Sequence, residues 1–216
     1  MPTVHGVPPS PFVRKARVFL AEKGIAYDLV QVTPMPPANA TPEFRQISPL
    51  GKIPAYTDGD FAISDSSVIC AYLERANPSP ALYPGDPKPY ARALWFEEYA
   101  DTRLSETVGP AFFQRVVRKA FFKQGPDEDA VKKALEGLPP VLDYLEAQLG
   151  DGEYLVGNRF SIADIAVGTQ LAQLEHAGES VDAARWPKLA AYAGRILGRP
   201  SFKECIAQET AIFASM

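Results

Sequence analysis

The side chains with the most usable chemistry lie in one stretch, Gly51 to Ser67, and at Ser10. Ile53-Pro54-Ala55-Tyr56, a turn at Asp58-Gly59 and Phe61-Ala62-Ile63 predict a hairpin, because Asp-Gly tolerates positive φ between two apolar runs. Pro54 gives up a ladder hydrogen bond, which suits an irregular strand entry. Ser64-Asp65-Ser66-Ser67 then precedes Val68, Ile69, Ala71, Tyr72 and Leu73, and small polar residues before an apolar periodic run mark a helix start. Free N–H donors, a carboxylate and hydroxyls thus meet beside a Pro-interrupted strand, which outlines a small-ligand site. Ser10-Pro11 has the form of an N-cap followed by the first helical residue. Val13, Ala16, Phe19 and Leu20 supply that helix with an apolar stripe, and Gly24 ends it. Arg14, Lys15, Arg17, Glu22 and Lys23 read as its polar side, with Arg14 on a solvated face.

The elements that must position these residues follow in order. Thr3 to Val7 is a short strand closed by Pro8-Pro9, with His5 a structural residue in or beside it. Tyr27 to Val32 is a second strand. Pro34 to Pro42 is a loop, and Thr41 caps a short helix reaching Ile47. The helix after the hairpin ends near Asn77. The first 77 residues therefore read β-α-β-(α)-β-β-α, a compact α/β layer. The proline-rich stretch 78–89 is a linker, and from residue 90 to 216 nothing resembles a strand. Tyr90 to Thr107 is a long amphipathic helix, interrupted at Gly109-Pro110, and Asp127 to Leu149 is another, dented by Pro139-Pro140. Ser161-Ile162-Ala163-Asp164 is a capping box before a nearly all-apolar helix that should form the centre of the second domain. Trp186 to Leu197 and Pro200 to about Thr210 complete an all-helical domain. The fold class is α/β plus all-α.

With 216 residues the chain can bury a real core, and 46% hydrophobic with 22% charged residues is ordinary for a soluble protein. A net charge of −4 without a basic stripe argues against a nucleic-acid partner. Cys70 and Cys205 form no CxxC or metal pattern and read as reduced thiols, Cys70 packing in the core. Two histidines, His5 and His176, leave a histidine metal site almost without ligands, so no metal is expected. No run approaches the length of a membrane helix, and Met-Pro-Thr-Val-His-Gly does not read as a signal peptide. The expectation is a soluble, cytoplasmic protein.

Four short motifs, in order and at compatible spacings, carry a family resemblance. They are Ser10-Pro11-Phe12-Val13-Arg14-Lys15, Pro49-Leu50-Gly51-Lys52-Ile53-Pro54, Ile63-Ser64-Asp65-Ser66 and Ser161-Ile162-Ala163-Asp164. Through them the whole chain resembles the cytosolic glutathione transferase superfamily in its bacterial, serine-type form. The resemblance implies a thioredoxin-like first domain that binds glutathione as co-substrate, and a helical second domain that walls the site of an apolar electrophile. It also implies a homodimer. Pro54 matches the family's cis-proline, and the main chain of Ile53 would pair with the cysteinyl part of glutathione. Asp65 would take the γ-glutamyl ammonium, Ser66 and the helix N-terminus its carboxylate, and Lys52 the glycyl carboxylate. Ser10 falls where serine-type members place the hydroxyl that activates the thiol.

Each residue also has a plainer role. Ser10 needs no catalytic reason to cap a helix, and one hydroxyl can do both. Asp65 and Ser66 fit an ordinary helix start. Phe112 and Phe113, with Phe12 and Tyr99, are candidates for the apolar substrate site, although such rings more often fill cores. The resulting function is conjugation of the glutathione thiolate to an apolar electrophile. One alternative is a glutathione-dependent isomerase resembling maleylacetoacetate isomerase, although Ser10 is followed by Pro11-Phe12 and not by the Ser-Cys of that class. Another is a non-catalytic binding or regulatory protein on the same fold. An omega-type oxidoreductase would need a cysteine near residue 10, and none is there.

Overall fold

Four short strands organise the first part of the chain: β1 (Thr3–His5), β2 (Asp28–Val30), β3 (Ala55–Asp58) and β4 (Phe61–Ser64). They form one sheet in the order β2-β1-β3-β4. β1 and β2 run parallel, joined by α1 (Pro11–Glu22), as a parallel pair requires a crossover. β3 lies antiparallel to both β1 and β4. α2 (Pro42–Ile47) is capped by Thr41, whose Oγ1 accepts from the Phe44 N–H at 3.2 Å. α3 (Ser66–Ala76) closes this layer and packs on α1. The computed structural model describes residues 1–215 and divides into two compact units, the first Met1–Leu82 and the second beginning at Tyr83.

Two local expectations for this unit shift. Asp58 pairs with Phe61, so the hairpin turns on Gly59-Asp60, one residue beyond the expected pair, and Gly59 supplies the positive φ of 61°. The larger difference is α1. Arg14, Lys15, Arg17 and Lys23 are buried and do not form a solvated face. Lys23 reaches the Asn77 and Pro80 carbonyls at 2.7 and 2.6 Å and Glu74 at 2.5 Å, tying the end of α1 to the end of α3. Arg17 Nε donates to the Tyr27 hydroxyl at 2.9 Å. A helix sandwiched in an α/β layer buries more than one stripe, and its long cations carry their charge to polar partners.

The second unit is helical. α4 (Pro87–Tyr99) begins inside the expected linker, because Pro at the first helical position loses no intrahelical bond. The helical run continues through α5 (Ser105–Phe112) and α6 (Arg118–Phe122), with wide π turns at Ala100–Leu104 and Phe113–Val117. Gly109-Pro110 does not interrupt it; these turns flank Pro110 and accommodate the irregular ladder around it. Pro139 and Pro140 sit in the first turn of α8 (Leu138–Leu149), so they start a helix and α7 (Glu128–Leu135) is separate. α9 (Ile162–His176), α10 (Pro187–Leu197) and α11 (Pro200–Ala214) complete the unit.

α9 is buried from Ile162 through Leu174, and Asp164 fixes its start. The Asp164 carboxylate, with no solvent exposure, accepts from Leu155 N–H (3.0 Å), Ser161 N–H (2.9 Å), the Tyr192 hydroxyl (3.0 Å) and the Ser161 hydroxyl (3.3 Å). Burial pushes its carboxyl up to about 6, against the pull of these four donors. An amide in its place turns an NH₂ toward groups that are themselves donors, so Asp164→Asn is expected to lower unfolding free energy by about 2 kcal/mol at neutral pH. The sign of the pH term follows from a proton bound more tightly when folded than at the ordinary 3.8. This contribution is full below the lower value and is lost as pH rises through the higher one. Denaturant titrations should therefore show the gap between wild type and variant narrowing as pH rises through that window.

Candidate functional site

Strand register gathers the site. His5 at the end of β1 pairs with Ala55 at the start of β3, and Ala55 pairs with Ser64 at the end of β4. The chain leaving β1 toward Ser10, the chain entering β3 through Pro54 and the chain leaving β4 into Asp65 all emerge at one end of the sheet. The Asp65 N–H donates to the Pro54 carbonyl at 3.3 Å, and the Ile53–Pro54 peptide is cis. Gly6 closes the arrangement from the other side. A Cβ there would stand 2.5 Å from Val13 Cγ2 and 3.4 Å from Ile53 Cβ, so the first turn of α1 and Ile53 both lie against its bare backbone.

Ser10 is the N-cap of α1, with extended backbone (φ −74°, ψ 126°). Its Oγ accepts from the Val13 N–H at 3.4 Å, a long contact. Accepting a bond leaves the hydroxyl proton unused, so the half-buried Ser10 can cap and still donate to a ligand atom at the positive end of a helix. Asp65 is the N-cap of α3, at φ 84° and ψ 130°. A non-glycine residue there costs roughly 1–3 kcal/mol. Its Oδ1 accepts from both the Ser67 and Val68 N–H groups, at 2.9 and 3.2 Å. Asp65 is exposed. Ser66, only 3% exposed, is the first helical residue.

Lys52 is exposed, and its backbone carbonyl accepts from the Ser48 hydroxyl at 2.7 Å. The preceding loop is held by Asn39, whose Nδ2 donates to the Gly51 carbonyl at 3.1 Å, and by Arg45, which donates to the Pro49 carbonyl at 2.8 Å. Gly51 has φ 63°, and a Cβ on it would fall 2.7 Å from the Asn39 carbonyl oxygen. Asn39, Arg45 and Gly6 were not singled out from sequence; their partners are loops and backbone, which leave no periodic trace. His5 donates or accepts at Thr57 Oγ1 (3.0 Å), and burial lowers its pKa, as a structural residue of β1.

The apolar candidates divide. Phe12 is half-buried in the first turn of α1. Tyr99 is half-buried in an aromatic cluster, 6.2 Å from the Trp95 ring and 4.8 Å from that of Tyr144, and burial raises its hydroxyl pKa. Phe113 is 44% exposed, 6.2 Å from the Phe122 ring. Phe112 is a correction: it lies in the core with Ala111, Val131 and Ala177, its ring edge-on to Phe213 at 6.1 Å. Among the described residues no cluster of three His, Cys, Asp or Glu side chains could hold a metal, and no helix is long and apolar enough to cross a membrane.

Comparison with known proteins gives the family. The family model for the glutathione S-transferase N-terminal domain matches residues 4–81, and that for the C-terminal domain matches 128–195. The chain belongs to the glutathione S-transferase family. Glutathione S-transferase 3 of Zea mays is 31% identical, over 94% of this chain and 92% of its own. A solved glutathione S-transferase-I with bound lactoylglutathione superimposes with a TM-score of 0.85 at 26% identity, covering 95% of this chain and 98% of the other. FtsZ-localized protein A of Caulobacter vibrioides is 26% identical, over 95% of this chain and 90% of its own.

Gly6 offers a test of the packing that sets Ser10. Gly6→Ala must displace Val13 and with it the capped turn, so a loss of about 1–3 kcal/mol is expected in thermal or denaturant unfolding. A variant as stable as wild type would show that α1 does not depend on this contact.

Proposed function

We propose that this protein is a serine-type glutathione transferase that joins the glutathione thiolate to a small apolar electrophile. The observation that carries the reading is the convergence of two capped helix starts and the Ile53–Pro54 turn at one end of the sheet. Glutathione offers matching groups: an α-amino acid end for Asp65 and the first N–H groups of α3, a peptide for the Ile53 main chain, and a glycyl carboxylate for Lys52. Its thiol would then meet the Ser10 hydroxyl. A free thiol near pKa ~8.5 is mostly protonated at neutral pH, and a donated hydrogen bond at a helix N-terminus favours the thiolate. Attack by the sulfur forms the carbon–sulfur bond as the leaving group departs with its electron pair, or as the π pair of the electrophile's double bond shifts to its conjugated acceptor, which then takes a proton from solvent. Beyond thiol activation the enzyme supplies proximity. Within the first unit, Phe12 is the ring proposed for the apolar partner.

Family membership and the likeness to a conjugate-bound transferase support this activity. We propose that the protein works in the cytoplasm as a homodimer; both cysteines are buried. A glutathione-binding protein without turnover is the second reading, favoured by the likeness to FtsZ-localized protein A, whose name gives a location and no reaction.

The ultraviolet absorbance of bound glutathione against pH separates the two. A thiolate signal persisting toward neutral pH in wild type, and moved about 1–2 pH units higher in Ser10→Ala, is expected if the hydroxyl stabilises the anion. Turnover should fall strongly in that variant while glutathione affinity stays near wild type. Binding without any thiolate signal would transfer the protein to the second reading. Asp65→Asn keeps an oxygen for the cap and removes the charge, so it should raise the glutathione Kd about tenfold with little change in stability.

A further inference from the structure

The second unit carries a cleft of about 160 Å³ between α9 and α10. Its walls are aliphatic, Leu171 and Leu174 on one helix and Ala190 and Ala193 on the other, and Gly194 adds bare backbone. A Cβ on Gly194 would meet nothing within 4 Å, so no neighbour requires a glycine there. Glycine inside a helix is destabilising relative to alanine, and what it provides at this position is room. Glu175 is the charged residue among those lining the cleft, and Ser180 supplies a hydroxyl. Both are exposed, so the cleft opens to solvent.

Glu175 is placed against the helix dipole. It sits in the last turn of α9, the end that already carries negative partial charge. The basic side chains around it are engaged elsewhere. His176 bonds to Glu209 at 2.7 Å, Arg115 holds the Ala177 carbonyl and Glu179 at 2.8 and 2.7 Å, and Arg195 donates to the Glu153 carbonyl at 2.9 Å. Desolvation by the apolar walls raises the Glu175 carboxyl pKa above the usual value, with His176 pulling the other way.

We propose that this cleft binds a small primary alkylammonium ion, its chain between the two helices and its head on the Glu175 carboxylate, with the Ser180 hydroxyl as a second acceptor. The site lies within the second unit and is independent of the ligand proposed for the first. A cavity of this size accommodates roughly six heavy atoms, about the bulk of benzene. A cation offsets both the carboxylate and the helix end, and low-dielectric walls strengthen that attraction relative to open water. A neutral chain of the same length gains only the apolar contact, and an anion is repelled.

The test titrates the full-length protein with pentylammonium chloride and with pentan-1-ol at constant ionic strength, followed by amide chemical shifts. Wild type should bind pentylammonium with a Kd of about 1–10 mM, as six heavy atoms allow, and the alcohol several-fold more weakly. Glu175→Gln keeps the size and removes the charge, and should raise the pentylammonium Kd about fivefold while moving that of pentan-1-ol less than about twofold. Gly194→Leu should fill the cleft and abolish binding of both probes, with a melting temperature no lower than that of wild type. Equal affinity for the two probes, or an unchanged pentylammonium Kd in Glu175→Gln, would mean an apolar cleft without charge recognition and overturn the proposal. A titration that does not saturate, or binding that survives in a folded Gly194→Leu, would overturn it too. Should Gly194→Leu not fold, the Glu175→Gln comparison decides alone.

Discussion

The alternation of strand direction is the constraint on which the site depends. β1 is parallel to β2, so α1 must start where β1 ends. β3 is antiparallel to β1 and therefore begins at that same end, and β4, antiparallel to β3, finishes there and releases α3. Two helix N-termini and one strand entry are thus brought together by topology before any side chain is chosen. Each start leaves N–H donors without intrahelical partners, and together they make one end of the sheet receptive to anions. Register then selects the residues. A slip of one position in the β3–β4 pairing would turn alternate side chains to the opposite face and withdraw Pro54 from Asp65.

The two caps at this end meet different demands. Ser10 caps with an oxygen lone pair and keeps a proton to give, which is what a sulfur anion needs. Asp65 caps with one oxygen and keeps a negative charge, which is what an ammonium needs. Asp65 does so at a backbone conformation that few residues tolerate, stabilised by two N–H bonds to its own side chain and by the Asp65 N–H to Pro54 contact. Such strain persists where a residue's neighbours over-determine it, and here both the strand exit and the helix entry do so.

Much of this was legible because it is local. Ser-Pro before an apolar stripe, Ser-Asp-Ser-Ser before another, and the capping box at Ser161 each state a helix start within four residues, and the structure has α1, α3 and α9 beginning there. The two-part fold followed from where β-like alternation stops. What escaped is non-local. Lys15, Arg17 and Lys23 look like solvated charges along α1, and only Ser67, Tyr27 and Glu74, far off in sequence, show that they are buried. Phe112 and Phe113 are indistinguishable by type, and the helix phase that separates core from surface is altered by π turns that no residue pattern announces. Proline misled in both directions: Pro87 and Pro139 open helices that composition had given to a linker and a dent, and Pro110 sits inside one. A proline's effect depends on which turn it occupies, and that is a property of the boundary and not of the residue.

Magnitudes decide whether so spare a site is adequate for the proposed chemistry. Moving a thiol from near pKa ~8.5 to near neutrality requires about 2–3 kcal/mol of preference for the anion. A hydrogen bond to a charged acceptor contributes about 1.5–3 kcal/mol. A helix N-terminus adds about 0.3–1 kcal/mol, more when partly buried. Ser10 on the first turn of α1 can supply both to one sulfur atom, and their sum spans the requirement with little excess. No general base is called for, and the two histidines are engaged elsewhere, His5 with Thr57 and His176 with Glu209 at 2.7 Å. In the proposed reaction the thiol proton would leave to solvent on binding, and the hydroxyl would only have to hold the anion that remains. With so small a margin, the placement of Ser10 matters as much as its chemistry. That placement rests on Gly6, where the absence of one methyl lets Val13 and Ile53 close on the same backbone.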